Sequence, residues 1–376
     1  MLSTAGAVAI EALDPSDVDA GVAAHYGDPM REQRLLATGV GLVDRSNRGV
    51  LAVPGADRLG WLHSITTQHV EKQPPLTGTE LLVLSPHGHV EHHAITLDDA
   101  TTTFLDVEPG TAGALLDFLN RMRFLLRVEP ADVTADWALL SLVGPDALEA
   151  AGPLGAGPLA APEVSVVPGP KFAAGSVAAG STSRYEVAVL PQGGYARRMS
   201  YGVDLLVPRS AVGDVVSTVG VPLAGLWAFE ALRVADRRPR LGKETDHRTL
   251  PAEVGWLAGA VHLDKGCYRG QETVARVHNL GRPPRKLVLL HLDGVTTDEL
   301  PAPGTPVTIP KDSASGPRGG PPDRIQGVAE GRTVGFVGTA VRHFELGPVA
   351  LALVRQNVGD DAALLVGPSA AAIDPQ

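Results

Sequence analysis

The pattern of hydrophobic residues changes at Arg285, and this change constrains the fold more than any other feature of the chain. Before it, runs with helical spacing such as ADRLGWLHSITTQ alternate with strand-like runs. After it come only strand-like runs separated by turns, which is typical of a small barrel or sandwich. The sequence therefore predicts an α+β body over residues 1–284 and a β-domain over residues 285–376, with a polar Gly/Pro-rich loop at 311–324.

Length and composition limit the class of protein further. At 376 residues the chain is longer than a single hydrophobic core usually needs, which favours two or three domains. Its one cysteine, Cys267, excludes an internal disulfide and any multi-cysteine zinc or iron–sulfur site held by this chain alone. The N-terminal stretch lacks the basic region of a secretory signal, and no apolar run approaches the ~20 residues of a membrane span. We therefore expect a cytoplasmic monomer with no membrane partner.

Charge is distributed unevenly along the chain. The formal net charge of −10 argues against general, sequence-independent binding to nucleic acid. The segment from Arg233 to Lys286 nevertheless carries twelve Lys/Arg residues and six Asp/Glu residues, a local charge of +6. Such a segment in an acidic protein is typical of a focused anion site, and a solvated basic face explains it equally well.

The only thiol stands in an unusual setting, the stretch KGCYRGQE over residues 265–272. Lys265 and Arg269 flank Cys267, and the following GQETVARVHNLG predicts a short helix that ends at Gly281. Neighbouring cations and a helix N-terminus both favour a thiolate, so the thiol is a candidate reactive group. A buried structural cysteine in a tight turn is the alternative.

A second candidate is the histidine-rich stretch HGHVEHH at residues 87–93. On a strand, His89, Glu91 and His93 would share one face, where two imidazoles and a carboxylate can chelate a metal ion. A hairpin with a polar face has the same pattern and is the more common case. We therefore expect no bound metal.

The motif KGCYRGQETVARVHNLG resembles the K-G-C-Y-x-G-Q-E signature of the YgfZ family, folate-binding proteins related to the T-protein (aminomethyltransferase) of the glycine cleavage system. The resemblance covers most of the chain. Three further stretches are similar to the pattern of these proteins: GVGLVDRSNRGVLAVPGADRLGWLHSITTQHV, LLVLSPHGHVEHHAIT and ALRVADRRPRLGKETDHRTLPAE.

This resemblance implies a three-lobed ring with two intertwined α+β lobes and a C-terminal β-barrel, whose central channel binds tetrahydrofolate. It also implies iron–sulfur enzymes or their assembly proteins as clients, including an enzyme that modifies tRNA. The residues it implies are Cys267 (as a reactive thiol), Lys265 and Glu91 for catalysis, and Arg233, Tyr268, Arg269, Gln271 and Glu272 for folate binding.

Two departures from the T-protein pattern bear on activity. The acidic pair that serves methylene transfer in T-proteins is replaced by Glu91 and His92. The acidic run that holds the pterin is replaced by MSYGVD at 199–204, which lacks its first two acids. The sequence thus predicts a folate-binding accessory protein for iron–sulfur enzymes. The alternatives are an aminomethyltransferase and an interaction module that kept the fold and lost the ligand.

Overall fold

The computed structural model describes residues 1–165, 182–297, 299–310 and 331–375. The polar stretch expected to form a loop at 311–324 lies outside the described residues. The α-helices are α1 Pro29–Thr38, α2 Arg58–Ile65, α3 Ala112–Met122, α4 Ala147–Ala151, α5 Val212–Val219, α6 Leu226–Ala235, α7 Leu257–Ala260 and α8 Gln271–Leu280. The strands are β1 Val8–Ala9, β2 Ala23–His25, β3 Gly41–Asp44, β4 Gly49–Pro54, β5 Thr77–Gly78, β6 Glu80–Leu84, β7 Val90–Asp98, β8 Thr102–Val107, β9 Ala131–Asp132, β10 Trp137–Val143, β11 Glu163–Ser165, β12 Thr182–Val189, β13 Tyr195–Met199, β14 Gly202–Pro208, β15 Leu223–Ala224, β16 Arg285–Leu292, β17 Pro306–Pro310, β18 Gly331–His343, β19 Gly347–Arg355, β20 Leu364–Val366 and β21 Ser369–Ile373.

One large, mostly antiparallel sheet organises the first three quarters of the chain. Its strand order is β15-β3-β10-β14-β13-β12-β5-β7-β8-β4-β9, with β11 paired to β12 and β6 paired to β7. The chain lays down β3 in one half, builds β4 to β9 in the other half, and returns with β10 beside β3. Strand β12 joins the halves, because it pairs with β13 at one end and with β5 at the other.

Each half of the sheet buries its own hydrophobic core. In one half, α3 places Leu115, Phe118 and Leu119 against Leu51 of β4 and Leu105 of β8. These three helix residues lie on one face because they are spaced three and four apart. A second core beneath β10 and β14 is closed by α4 and α5. Burial of apolar surface against both halves stabilises the sheet and the helices packed on it.

The segment after Arg285 forms a closed barrel with strand order β16-β19-β18-β17-β20-β21. Closure pairs every strand on both sides and so removes the exposed edges of an open sheet. In β21 buried and exposed residues alternate from Ser369 to Ile373, as the pleat of a strand requires. The terminal β-domain is therefore a barrel and not a sandwich.

Helix α6 connects the barrel to the rest of the molecule. Its Val234 is fully buried with Leu289 of β16 and with Val349 and Leu351 of β19. On another side, Phe229 packs in the core that contains Leu36 of α1. The chain that leaves α6, residues 236–240, is thus held where the two halves of the sheet and the barrel meet.

The Gly/Ala/Pro-rich stretch at residues 150–163 starts at the end of helix α4 and continues into a 3₁₀ turn at Gly152–Leu154. Among the described residues, no helix combines the length and apolar character needed to span a membrane.

Candidate functional site

A cavity of about 330 Å³ lies between the two halves of the sheet and helix α6. This volume is at the lower end of the range for small-molecule sites. Its walls combine aromatic rings with many charged groups. The lining residues used below are Arg45, Glu80, His93, Glu108, Tyr185, Tyr201, Phe229, Glu230, Arg233, Asp236, Arg238, Arg240 and Trp256.

One wall carries a carboxylate–imidazole pair from neighbouring strands, in which His93 is buried and Glu80 is partly buried. The Nε2 atom of His93 on β7 lies 3.0 Å from Oε2 of Glu80 on β6. The hydroxyl of Tyr185 on β12 donates to the other oxygen of Glu80. The His93 ring stacks on Trp256, with centroids 4.6 Å apart and an interplanar angle of 13°. Three elements distant in sequence therefore fix the orientation of this imidazole.

The second ring nitrogen of His93 has no partner. His93 is only 6% exposed, and its Nδ1 atom makes no hydrogen bond to any described residue. Burial alone would raise the pKa of Glu80, but the hydrogen bonds from His93 and Tyr185 lower it. Glu80 is thus a carboxylate at neutral pH, and His93 donates Nε2–H to it. A buried nitrogen left unpaired at a cavity wall favours a ligand that supplies the partner.

The opposite wall is built from arginines on aromatic rings. The guanidinium of Arg45 lies 4.5 Å from the ring centroid of Phe229, and that of Arg238 lies 4.6 Å from that of Tyr201. The hydroxyl of Tyr201 accepts from Arg45 and donates to Asp204, and burial raises its pKa to about 12. This wall presents flat apolar surface next to positive charge, which suits an aromatic anion.

A buried ion-pair network supports that wall. Arg240 pairs with Asp19 at 2.6 Å, with Glu108 at 2.7 Å and with Glu230 at 3.1 Å. Arg48 pairs with Glu108 at 2.7 Å. Although burial acts in the opposite direction, these arginines hold the pKa of Glu108 well below its usual range. Glu108 is therefore charged, and its two oxygens accept from Arg48 and Arg240.

Arg233, expected to contact folate, lies in the cavity wall but is saturated by the protein. Its guanidinium donates to Glu230, to Glu244, to the main-chain oxygen of Arg238 and to the hydroxyl of Thr339. It is 3% exposed. Through these bonds Arg233 holds residues 236–240 in place. A direct contact between Arg233 and folate stays a prediction.

The KGCYRGQE stretch lies outside the cavity lining. Lys265 is buried, and its Nζ donates to the main-chain oxygens of His63, Thr66 (2.6 Å) and Gln68 (3.0 Å) at the end of α2. Burial lowers the pKa of Lys265 to about 8, so its ammonium group is largely charged at neutral pH. This lysine secures the loop to α2, whereas the sequence suggested that it activates the thiol.

Cys267 is exposed and is not among the residues that line the cavity, so its role as a reactive thiol stays a prediction. Arg269 pairs with Glu91 at 3.0 Å, and both side chains are more than a third exposed. In the pairing of β6 with β7, Val83 lies opposite His92 and the next residue, Leu84, lies opposite Val90. Glu91 is therefore an extra residue on β7. This bulge breaks the strand alternation, so Glu91 points to the surface while His93 points inward.

The other motif residues have structural surroundings. Tyr268 is buried in the core beside Trp256, Gln271 donates to the main-chain oxygen of Lys265, and Glu272 is exposed in the first turn of α8. Gly270 precedes that helix with φ +83°, and a Cβ there would lie 2.6 Å from the main-chain oxygen of Ser85. The loop therefore packs closely on the β6–β7 hairpin. None of these contacts tests whether Tyr268, Gln271 or Glu272 binds folate, so that role stays a prediction.

No cluster of three His, Cys, Asp or Glu side chains with metal-binding geometry occurs among the described residues. The face proposed from the sequence is divided by the bulge, because Glu91 pairs with Arg269 and His93 pairs with Glu80.

Comparison with known proteins agrees with this architecture. Residues 25–159 match the family described as the GCVT N-terminal domain. The chain therefore contains a GCVT domain. It is 27% identical over 272 residues to a putative chloroplastic transferase of Arabidopsis thaliana, covering 72% of this chain and 59% of that protein. The chain thus spans about three fifths of that relative. It is also 27% identical to an aminomethyltransferase of Rubrobacter xylanophilus, covering 72% of this chain and 69% of that one.

Two further similarities connect this GCVT-domain protein to the families expected from its motif. Over 99 residues it is 32% identical to the tRNA-modifying protein YgfZ of Vibrio atlanticus, covering 26% of this chain and 29% of that one. The structure superposes on the glycine cleavage system aminomethyltransferase T from Bartonella henselae with a TM-score of 0.73. At 17% identity, covering all of this chain and 94% of the other, the match shows that the fold is T-protein-like.

Sequence reasoning missed several groups of the GCVT-domain cavity. Glu80, Trp256, Arg45 and Arg238 were not singled out, and His93 was weighed only as a metal ligand. The available signal was a glutamate at the start of the hydrophobic run ELLVL, diagonally across a hairpin from a histidine, since Glu80 pairs with Ile95 and His93 pairs with Leu82. Trp256 could not be found this way, because the loop that carries it reaches His93 only in the folded chain.

Proposed function

We propose that the cavity binds a reduced folate and that the chain is an accessory protein for iron–sulfur enzymes. The observation that carries the folate proposal is the unpaired, buried Nδ1 of His93 in a cavity with Trp256 on one side and cation-flanked aromatic rings on the other. The GCVT aminomethyltransferase family is folate-dependent in general.

The lining residues fit the chemistry of a folate. A pterin is flat, with hydrogen-bond donors and acceptors on its edge, and its glutamate tail is anionic. His93 would supply a polar contact to the edge, and Trp256, Tyr201 and Phe229 would supply flat apolar surface. The guanidinium of Arg238 stacks on Tyr201 and lies 3.5 Å from a carboxylate oxygen of Asp236, and as a cation in the cavity wall it would exchange this long contact for the carboxylate of a ligand.

The state of the carboxylates supports binding without methylene transfer. Glu91, which stands where T-proteins carry an acid, is at the surface and paired with Arg269. In the cavity wall Glu80 is occupied by His93 and Tyr185, and Glu230 by Arg233 and Arg240. A carboxylate with both oxygens engaged in this way is a poor base for the transfer reaction.

The accessory role rests on the family resemblance and on the position of the thiol. Cys267 is exposed on a loop that is secured at both ends, by Lys265 to α2 and by Gly270 to the β6–β7 hairpin. A rigid, accessible thiol can meet the cluster or a cysteine of a partner protein. Loss of iron–sulfur enzyme activity in cells that carry Cys267→Ser, at unchanged protein level, is the expected result.

Equilibrium titration with tetrahydrofolate tests the folate proposal. The wild-type chain should bind it, and His93→Phe, which keeps an aromatic ring against Trp256, should weaken binding by about 1–2 kcal/mol. The matched control is His291→Phe in the barrel, which removes another imidazole–carboxylate contact, to Asp374 at 2.9 Å, and should leave affinity unchanged. No binding to the wild type, or equal loss in both variants, would refute the proposal.

Relatives named aminomethyltransferase favour a second candidate, transfer activity itself. A reconstituted glycine cleavage system with this chain in place of the T-protein separates the two. We expect no appreciable turnover, and turnover comparable to that of a T-protein would establish the enzyme instead.

A further inference from the structure

In the Glu80–His93 pair, two effects act in opposite directions on the protonation of His93. Glu80 is a partly buried carboxylate with an oxygen 3.0 Å from Nε2, and it favours a positive imidazolium next to it. Protonation of His93 would, however, place a hydrogen on Nδ1, which has no acceptor among the described residues. A buried N–H without an acceptor costs roughly as much as a lost hydrogen bond, so it opposes the same protonation.

A ligand can change this balance. An acceptor atom on a bound molecule, placed at Nδ1, would satisfy the new N–H and leave only the favourable pairing with Glu80. We propose that His93 takes up one proton from solvent when the ligand binds and donates the resulting Nδ1–H to an acceptor on it, with Glu80 as the positioning residue. The inference rests on the proposed function, in that the ligand is a reduced folate with carbonyl and ring-nitrogen acceptors.

The charges around the pair are consistent with this role. On β12, Tyr185 donates to Glu80 and so keeps the carboxylate ionised. On β13, the positive charge of Arg197 acts on Glu80 in the same sense, while its Nη2 is paired with Asp106 at 2.6 Å and Asp204 at 2.8 Å. The loop that carries Trp256 contributes a neutral ring to the stack. Glu80 is thus the charged group in direct contact with His93.

The proton balance is simple. In the free protein, Nε2–H donates to Glu80 and Nδ1 carries a lone pair. On binding, one proton moves from solvent to Nδ1, the new N–H donates to the ligand, and the Glu80–His93 pair changes from a net negative charge to neutral. On release the proton returns to solvent. An imidazole held in this way, with a carboxylate behind it and a ligand in front, is the arrangement of an acid–base group.

Binding measured against pH tests the inference. Tetrahydrofolate is titrated into the full chain from pH 6 to pH 9, with calorimetry in two buffers of different ionisation enthalpy to count protons taken up. If binding takes up one proton, the affinity should fall by up to about tenfold for each unit by which the pH rises, and calorimetry should count up to about one proton per bound ligand. A merely structural His93 would produce neither effect.

Substitutions of Glu80 and His93 test whether the proton taken up on binding resides on His93. Glu80→Gln keeps the size of the side chain and removes its charge, and His93→Phe keeps the stack on Trp256; both should bind with pH-independent affinity and no proton uptake. His291→Phe should retain the wild-type pH profile. Melting temperatures check that each variant is folded, and Glu80→Asp, which restores the carboxylate, should recover part of the pH dependence.

The outcomes separate the two proposals. If tetrahydrofolate does not bind at any pH, the folate proposal fails and this inference fails with it. If it binds to the wild type with pH-independent affinity and no proton uptake, the folate proposal stands and the inference is overturned. The same result follows if His93→Phe retains the full pH profile, since the proton would then reside elsewhere.

Discussion

Lys265 and Thr66 are joined by a hydrogen bond of 2.6 Å from Nζ to the main-chain oxygen, across 199 residues of sequence. The same ammonium group also contacts the oxygens of His63 and Gln68, so the motif loop is secured to the end of α2. A charged donor at a helix C-terminus is favoured by the helix dipole as well as by the carbonyl groups. The lysine of the signature is therefore a structural residue in this chain.

Replacing Lys265 by Met should destabilise the protein strongly. The change leaves buried carbonyl oxygens without a donor, and we expect a loss of about 2–4 kcal/mol in the free energy of unfolding. Chemical denaturation measures it. Lys72→Met, at an exposed position before β5, is the control and should change stability by less than about 0.5 kcal/mol. Similar small effects in both variants would contradict the structural role.

Cys267 should react readily in the native protein, because its side chain is exposed. We expect a thiol reagent to modify the folded chain at a rate close to that of the unfolded chain. Since the thiol packs against no core, Cys267→Ser should shift the melting temperature by no more than about 1 °C. Protection of the native thiol, together with a large drop in melting temperature, would instead indicate a structural cysteine.

His92 should make stability depend on pH below neutrality. Burial, with smaller contributions from the charges of Arg121 and Arg269, lowers the pKa of His92 from 6.5 to about 4. Between these values the unfolded chain binds a proton that the folded chain does not, so stability is complete above pH 6.5 and falls toward pH 4. We expect a loss of about 1–2 kcal/mol from this group.

Denaturation at several pH values compares His92→Phe with the wild type. The variant, whose ring can pack near Phe118, should lose the part of the pH dependence that belongs to His92. His87→Phe, at an exposed turn position, should keep the wild-type profile. A profile in His92→Phe that matches the wild type would show that other groups cause it.

Two arginine substitutions should differ sharply in cost. Arg240→Met leaves the buried acids Asp19, Glu108 and Glu230 without one of their cations, and we expect a loss of about 3–5 kcal/mol. Arg127→Met breaks the pair with Asp57, in which the arginine side chain is 76% exposed, and should cost much less because solvent screens this pair. Unfolding free energies at low and high salt measure both, and only the surface pair should depend on salt. Equal costs would mean that the buried network contributes little.

Local sequence was enough to predict the elements whose causes are local. The change of periodicity at Arg285 predicted the all-β segment, and the barrel starts with β16 at that residue. The helix after the motif begins at Gln271 and ends before Gly281, which adopts φ +67° as a C-terminal glycine does. Helix caps and hydrophobic spacing act within a few residues, so the sequence determines them directly.

Tertiary structure alone decided which polar groups meet. A one-residue bulge at Glu91 sends that carboxylate to the surface and directs His93 inward, because strand alternation reverses with each inserted residue. Trp256 and Tyr185 reach the Glu80–His93 pair from distant segments, and Lys265 is buried by a helix end that lies 199 residues earlier. The sequence thus determined the secondary-structure elements and the family resemblance. Packing between distant segments determined whether each charged group faces the cavity or the surface. Burial and pairing, which set the chemistry of such groups, are properties of the whole folded chain and not of any single stretch.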